Sequence, residues 1–329
     1  MELLQAISRQ VASGSAGDAA AGLHAIMLSN KYLKASVLAE TSVKEHYLFL
    51  QPLIGAFKAL NPQLPIHEIN SQMLALMGPK QRQEQVTAVL GLAHELEKAY
   101  AIARLGAGLA ALERSQQEAL VTAALGLADD SEKARAIAGL GAGLASLERS
   151  QREALVTAAL GPSDEGRKAK AIAGLGAGLA HLSESQREDL VTATLDLANG
   201  RHKAEAIAGL GAGLVALERS QQQALVKAAF GLAFRGNKAE AIAGLGAGLT
   251  ALERPQQEAL VKATLNLADE GSKAKAIVGL GAGLAALDGT QQQALVTAAL
   301  GLAVKGHQAH AIAGLVNGYQ ASRVRDYLR

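Results

Sequence analysis

Cysteine and tryptophan are absent from this chain of 329 residues, and phenylalanine plus tyrosine make up only 3% of it. Without cysteine there can be no disulfide, thiolate zinc site or cysteine nucleophile, and the lack fits a reducing compartment such as the cytoplasm. So few aromatics leave no platform on which bases could stack. An excess of one charge is missing too: 32 Lys and Arg face 30 Asp and Glu, for a net +2. That balance carries no electrostatic footprint for nucleic acid or an anionic membrane. Long apolar runs are also lacking. The longest, AIAGLGAGLVAL at 206–217, has 12 residues, whereas a membrane span needs ~20. The opening MELLQAISRQVASGSAGD has no basic start or continuous apolar core, so no secretory signal is expected. Glycine is plentiful, at 35 of 329, yet the chain is 49% hydrophobic and therefore not a disordered low-complexity sequence.

The glycines belong to a repeat. AIAGLGAGL or a near copy begins at Ala101, Ala136, Ala171, Ala206, Ala241, Ala276 and Ala311, always 35 residues apart. With Ser131 as unit position 1, full units run 96–130, 131–165, 166–200, 201–235, 236–270 and 271–305. A worn unit, 61–95, precedes them and a half unit, 306–329, follows. So strict a period implies that each unit meets its neighbours in the same way.

Each unit reads as two helices. The first is expected over positions 2 to 17, as in Glu132 to Leu147, with Ile137, Leu140, Leu144 and Leu147 forming one helical stripe. The second is expected over positions 21 to 33, as in Gln151 to Gly161. Its start carries the capping-box pattern Ser-x-x-Glu in Ser115–Glu118, Ser150–Glu153 and Ser185–Glu188. Pro255 replaces that cap in one unit, which predicts a helix start weaker by ~1 kcal/mol. No period-2 alternation appears, so strands are not expected.

Glycine inside a helix costs ~1 kcal/mol relative to alanine, so three per first helix need a reason. Gly139 and Gly143 lie on one face, where the lack of side chains would let another backbone approach. Arg104 and Val316-Asn317 depart from the glycine pattern in the terminal copies, as expected where a neighbour is missing. The GxGxG spacing is not the GxGxxG of a dinucleotide site, and no GxxxxGK[ST] occurs.

Residues 1–60 carry four of the nine aromatics (Tyr32, Tyr47, Phe49, Phe57) and read as a helical N-terminal cap or a separate head. Helices are expected near 2–12, 18–39 and 43–60, the last behind Ser42-x-x-Glu45 and kinked at Pro52. The polar, small-residue stretch 8–22 resembles the N-terminal secretion signals of bacterial type III effectors. That likeness implies delivery into a host cell as the alternative to a cytoplasmic location. The C-terminal ASRVRDYLR is expected to cover the last unit.

No nucleophile–base–orienter set is present, so no enzyme activity, catalytic residue or cofactor is expected. His307 and His310 could share a helix face but have no third ligand at a recognisable spacing, which argues against a metal. The recurring pairs Glu113-Arg114, Glu148-Arg149, Glu218-Arg219 and Glu253-Arg254 read as solvated charges in a connection. Between copies the apolar stripes hold while positions 1, 2, 5, 34 and 35 vary. Position 5 reads Tyr100, Arg135, Lys170, Glu205, Glu240, Lys275 and His310, one side chain per layer. These seven are the candidate partner-binding residues. Their mixed charges suit a protein or peptide better than a polyanion.

Helical hairpins of 35 residues are similar to tetratricopeptide and HEAT-like solenoids. The unit pattern KAxAIAGLGAGLAALERSQQEALVTAALGLADD, as at 98–130 but for Arg104, resembles Ala- and Leu-rich repeats of bacterial multi-repeat proteins. The resemblance covers 71–329 and implies an all-α, right-handed α-solenoid acting as a protein–protein interaction scaffold. The bulky aromatic positions of tetratricopeptides are missing, so their peptide-clamping residues do not carry over. Unit length and variable positions 2, 5 and 35 also resemble pentatricopeptide RNA readers, and the plant-pathogen DNA-reading repeats share the approximate length. The alternative function is therefore a nucleic-acid reader taking one base per repeat. Self-association through the glycine-rich ends is the remaining option.

Overall fold

The computed structural model describes residue 69 and residues 71–327. The expected N-terminal cap with its three helices, the Ser42–Glu45 box, the Pro52 kink and the effector-like stretch 8–22 lie outside the described residues. Among the described residues there are fifteen α-helices and no strand. The worn unit contributes α1 (Ser71–Leu76) and α2 (Pro79–Leu90). Two rows follow. The A row consists of α3 (Glu95–Leu105), α5 (Asp130–Leu140), α7 (Glu165–Leu175), α9 (Gly200–Gly211), α11 (Arg235–Gly246), α13 (Glu270–Ala282) and α15 (Lys305–Tyr327). The B row alternates with it as α4 (Arg114–Leu125), α6 (Arg149–Leu160), α8 (Glu184–Asp196), α10 (Arg219–Gly231), α12 (Arg254–Leu265) and α14 (Gly289–Leu300). Each A helix packs on the A helices before and after it, and each B helix on its B neighbours. The chain is an all-α solenoid. Its core is one continuous column: Ile137, Leu140, Leu144 and Leu155 of one layer are fully buried, as are their equivalents Ile172, Leu175, Leu179 and Leu190 in the next.

Why the A row needs glycine is visible atom by atom. A β-carbon built on Gly139 would sit 2.1 Å from Ala103 Cα, and one on Gly143 would overlap the Gly106 carbonyl oxygen. Both belong to the preceding layer. Gly141 faces the other way, where a β-carbon would lie 2.0 Å from the Gly174 carbonyl oxygen of the following layer. The glycine Hα thus points at a neighbouring carbonyl, the geometry of the weak C–H···O contacts found between close-packed helices. Real β-carbons do not approach to 2 Å, so only glycine fits.

The same glycines also end the helix, which the sequence reading missed. Instead of one helix to position 17, α5 stops at Leu140 and a tighter 3-10 segment runs Gly141–Ser146 before Leu147 turns extended. Later units keep the α-form to Gly211, Gly246 or Ala282 and shorten the 3-10 part to three residues, such as Leu214–Ala216. The last copy is an internal control. There Val316-Asn317 replaces Gly-Ala, and α15 runs unbroken for 23 residues.

The ends of the array obey the contact directions. Position 9 faces the preceding layer, and among the A helices it is not glycine only at Arg104, in the first full unit, where the side chain is exposed. Position 11 faces the following layer, and it is not glycine only at Val316, in the last, where the side chain is again exposed. Gly318, at position 13, still meets the Gly281 carbonyl behind it.

The B helices start two residues earlier than the Ser-x-x-Glu pattern placed them. Their N-caps are Glu113, Glu148, Ser183, Glu218, Glu253 and Asp288, and the third helical residue is always glutamine. Gln116 Oε1 accepts the Glu113 N–H at 2.9 Å, and Gln186 and Ser183 complete the exchange in both directions. Ser115 and its equivalents are therefore inside the helix. Pro255 is the second helical residue, where no backbone donor is needed, so the expected weakening does not arise. A further device seals the 3-10 turn. The buried Gln117 amide donates to the Leu109 and Leu112 carbonyls at 2.8 and 3.0 Å, and Gln222 and Gln257 repeat this. Arg152 and Arg187 stand in the same column and donate to Leu147 and Leu182.

Candidate functional site

Helical geometry decides what the A row presents. Positions 4, 6, 7 and 10, as in Ala134, Ala136, Ile137 and Leu140, are buried, so position 5 is turned away from the core. The structure brings the seven candidate residues into one row, one per A helix. Tyr100, Lys275 and His310 are exposed, while Arg135, Lys170, Glu205 and Glu240 are half-buried. Neighbours in the row touch in two places. The Arg135 guanidinium lies 4.1 Å over the Tyr100 ring, and Lys275 Nζ reaches Glu240 Oε2 at 3.2 Å. Beyond the row the same surface continues as exposed small residues, Ala142 and Ala145 in one layer, Ala177 and Ala180 in the next. Backbone contact makes the A row the more closely packed of the two.

No protein-family model matches this chain, and no curated protein matches it either. The site has to be read from its own atoms. Among the described residues no group of three His, Asp or Glu is placed to hold a metal ion, and no helix is long and apolar enough to cross a membrane. His307 leans on Gly271 of the preceding layer beside Asp269 and Glu270, while His310 stays exposed in the row. The Glu-Arg pairs do more than bathe in solvent: Arg114 pairs with Glu148, Arg219 with Glu253 and Arg254 with Asp288, each across one layer. Exposed pairs of this kind contribute ~0–1 kcal/mol.

Sequence reasoning overlooked a second row, at unit position 35. Glu165, the first residue of α7, reaches across one layer and accepts the N–H groups of Ala198 and Asn199, both at 2.8 Å. Glu95 takes Ala128 and Asp129 in the same manner, and Glu270 takes Ala303 and Val304. These backbone bonds hold all three carboxyls below the usual glutamate value of 4.5. Asp129, Asp164 and Asp269 cap the A helices; helix-start amides lower the first two below the usual 3.8, and the Ser272 hydroxyl, followed by the Ser272 amide, lowers Asp269. A depressed carboxyl stabilises the fold fully above its unfolded pKa and stops doing so as pH falls through the lower folded value. Acid should therefore loosen the inter-layer loops once pH falls through the lowered folded values, where each protonated carboxyl loses its charge-assisted bonds. Amide exchange at Ala198 and Asn199 should rise on acidification faster than the intrinsic rate predicts. In Glu165→Gln the acid-dependent part should vanish; an unchanged profile would show that the clamp does not hold the loop.

Proposed function

We propose that the protein is a non-catalytic scaffold that binds a protein or peptide partner lengthwise along its A row. The tetratricopeptide- and HEAT-like likeness is one of architecture and use, an extended surface presented by stacked hairpins. The single observation that carries this reading is the position-5 row. Its side chains vary from layer to layer, carry both signs of charge and face away from the core, while the residues beneath them scarcely change. Mixed charge with net +2 suits a polypeptide of mixed sequence, and a nucleic-acid reader of one base per layer would meet Glu205 and Glu240 in mid-array. We place the scaffold in the cytoplasm, with delivery into a host cell as a bacterial effector resting on the composition of 8–22.

The test is the double reversal Glu205→Lys/Glu240→Lys, comparing binding of the partner recovered with the wild-type chain. Affinity should fall at least about tenfold, as like charges replace complementary ones. The thermal midpoint should stay nearly constant, since the reversal disrupts no more than the Glu240–Lys275 pair at the surface. An unchanged dissociation constant would remove the row from the interface, and recovery of oligonucleotides alone would favour the other function.

A further inference from the structure

The repeats provide their own comparison for the position-35 clamp. Of the seven layers, three fill it with glutamate. Asp130 is a shorter carboxylate that pairs with Arg167 and accepts no loop N–H among the described residues. Lys305 stands in the last layer, and Gly200 and Arg235 stand at that position in the two central ones. The loop amides that would receive the missing carboxylates are those of Ala233 with Phe234, and of Ala268 with Asp269. No group among the described residues accepts a hydrogen bond from any of the four. The first pair lies in a groove of about 400 Å³ whose lining includes Gly200, Lys203, Ala233, Phe234 and Asn237, with no acidic residue. The second borders a groove of about 320 Å³ that holds Arg235 and Lys238. Phe234 is the most solvent-exposed large apolar side chain among the described residues, at 75%, and as the N-cap of α11 it offers that helix no acceptor.

We propose that the Ala233–Phe234 loop is a docking site for a carboxylate side chain of an acidic peptide segment in the protein partner. The ligand chemistry is written in the sister layers, where two consecutive loop N–H groups hold the two oxygens of one carboxylate. In this layer the Lys203 ammonium supplies the countercharge and Phe234 an apolar flank. The Ala268 pair, with Arg235 and Lys238, takes a second carboxylate one layer on. Packed helices stand ~8–10 Å apart. A peptide in the polyproline II conformation turns once per three residues and advances ~3.1 Å per residue, so acidic residues three apart face one side and reach both sites. This site rests on the scaffold reading and names the partner's chemistry within it.

The decisive variant is Gly200→Glu, which supplies from within the chain what the partner would bring. There is space for it: a β-carbon at Gly200 would lie 3.5 Å from Asn237 Nδ2 and 3.7 Å from Leu232 Cδ2, both ordinary separations. The probe is a peptide of eight residues with two glutamates three apart, titrated into the full chain while amide nitrogen and proton shifts are followed. Ala233 and Phe234 should move in the wild type. They should not respond to the peptide with both glutamates changed to glutamine. In Gly200→Glu their shifts should already be displaced without peptide, the thermal midpoint should rise, and affinity for the glutamate peptide should fall about tenfold. Equal shifts with the glutamine peptide, or unaltered affinity in Gly200→Glu, would overturn the site. So would inorganic phosphate or an oligothymidylate moving these amides when the glutamate peptide does not. If the recovered partner loses affinity in Glu205→Lys/Glu240→Lys but not in Gly200→Glu, the docking site fails and the scaffold stands; if neither variant weakens it, both fail.

Discussion

Removing residues 201–235 should leave a folded protein one layer shorter. The expectation follows from register. In the intact array Gly176 meets the Gly209 carbonyl and Gly244 meets Ala208. After the deletion Gly176 would meet the Gly244 carbonyl, and Gly244 would meet Ala173, with the same residue types at the same spacing. Each layer touches only its neighbours, so stability falls by one layer and one interface rather than collapsing. Helicity per residue by circular dichroism should be unchanged. The denaturant slope should shrink with the surface no longer buried. Deleting 201–230 instead takes out 30 residues and leaves five extra at the junction, so Gly244 and Ala173 fall out of register while the glycines beyond keep theirs. The blocks on either side should uncouple and unfold in separate transitions. A collapse of both variants would refute the nearest-neighbour account.

Leucine in place of Gly209 should be among the most damaging single substitutions in the chain. Its β-carbon alone would sit 2.2 Å from Ala173 Cα and 2.4 Å from the Ala173 carbonyl oxygen. Backbone cannot swing aside as a flexible side chain can, so α7 and α9 must separate. Overpacking typically costs ~1–3 kcal/mol, occasionally more, and here it outweighs the ~1 kcal/mol that helix propensity returns. Because the damage lies at one interface, the segments before and after it should uncouple, and urea unfolding should split into two transitions. Gly231→Leu, where a β-carbon meets nothing within 4 Å, should leave a single transition near the wild-type midpoint.

The period and the apolar stripes made the solenoid readable from the sequence, because both are properties of a single unit and of its copies. Arg104 and Val316 were readable for the same reason: they break a pattern that seven copies define. Helix boundaries were harder. Glu113-x-x-Gln116 and Ser115-x-x-Glu118 compete for the same start, and serine is the better N-cap by intrinsic preference. The extended residue Leu112, imposed by the 3-10 turn before it, decides for the earlier one. The turn itself has no signal of its own, because the glycines that permit close packing are the same ones that weaken the α-form locally.

Of the candidate site, the position-5 row could be placed because its spacing fixes the side it faces. The stacking of Arg135 on Tyr100 could not, since it depends on how closely two layers approach. The clamps at Glu95, Glu165 and Glu270 left no local signature either. Their partners are backbone N–H groups 33 and 34 residues away, and an amide looks the same at every position in a sequence. The one hint was a column in which glutamate alternated with residues unable to do the same work.

Nesting of bare helix faces is tested most directly by one methyl group placed at two glycines of neighbouring layers. Gly209→Ala and Gly236→Ala make the same chemical change inside α9 and α11, and their unfolding free energies can be read from urea curves. Gly236 has open space around it, so alanine there should stabilise by ~0.4–1 kcal/mol. At Gly209 the methyl group would fall on the Ala173 backbone, and the variant should be less stable than wild type. Opposite signs are the predicted result; two stabilised variants would mean that successive A helices are not held in backbone contact.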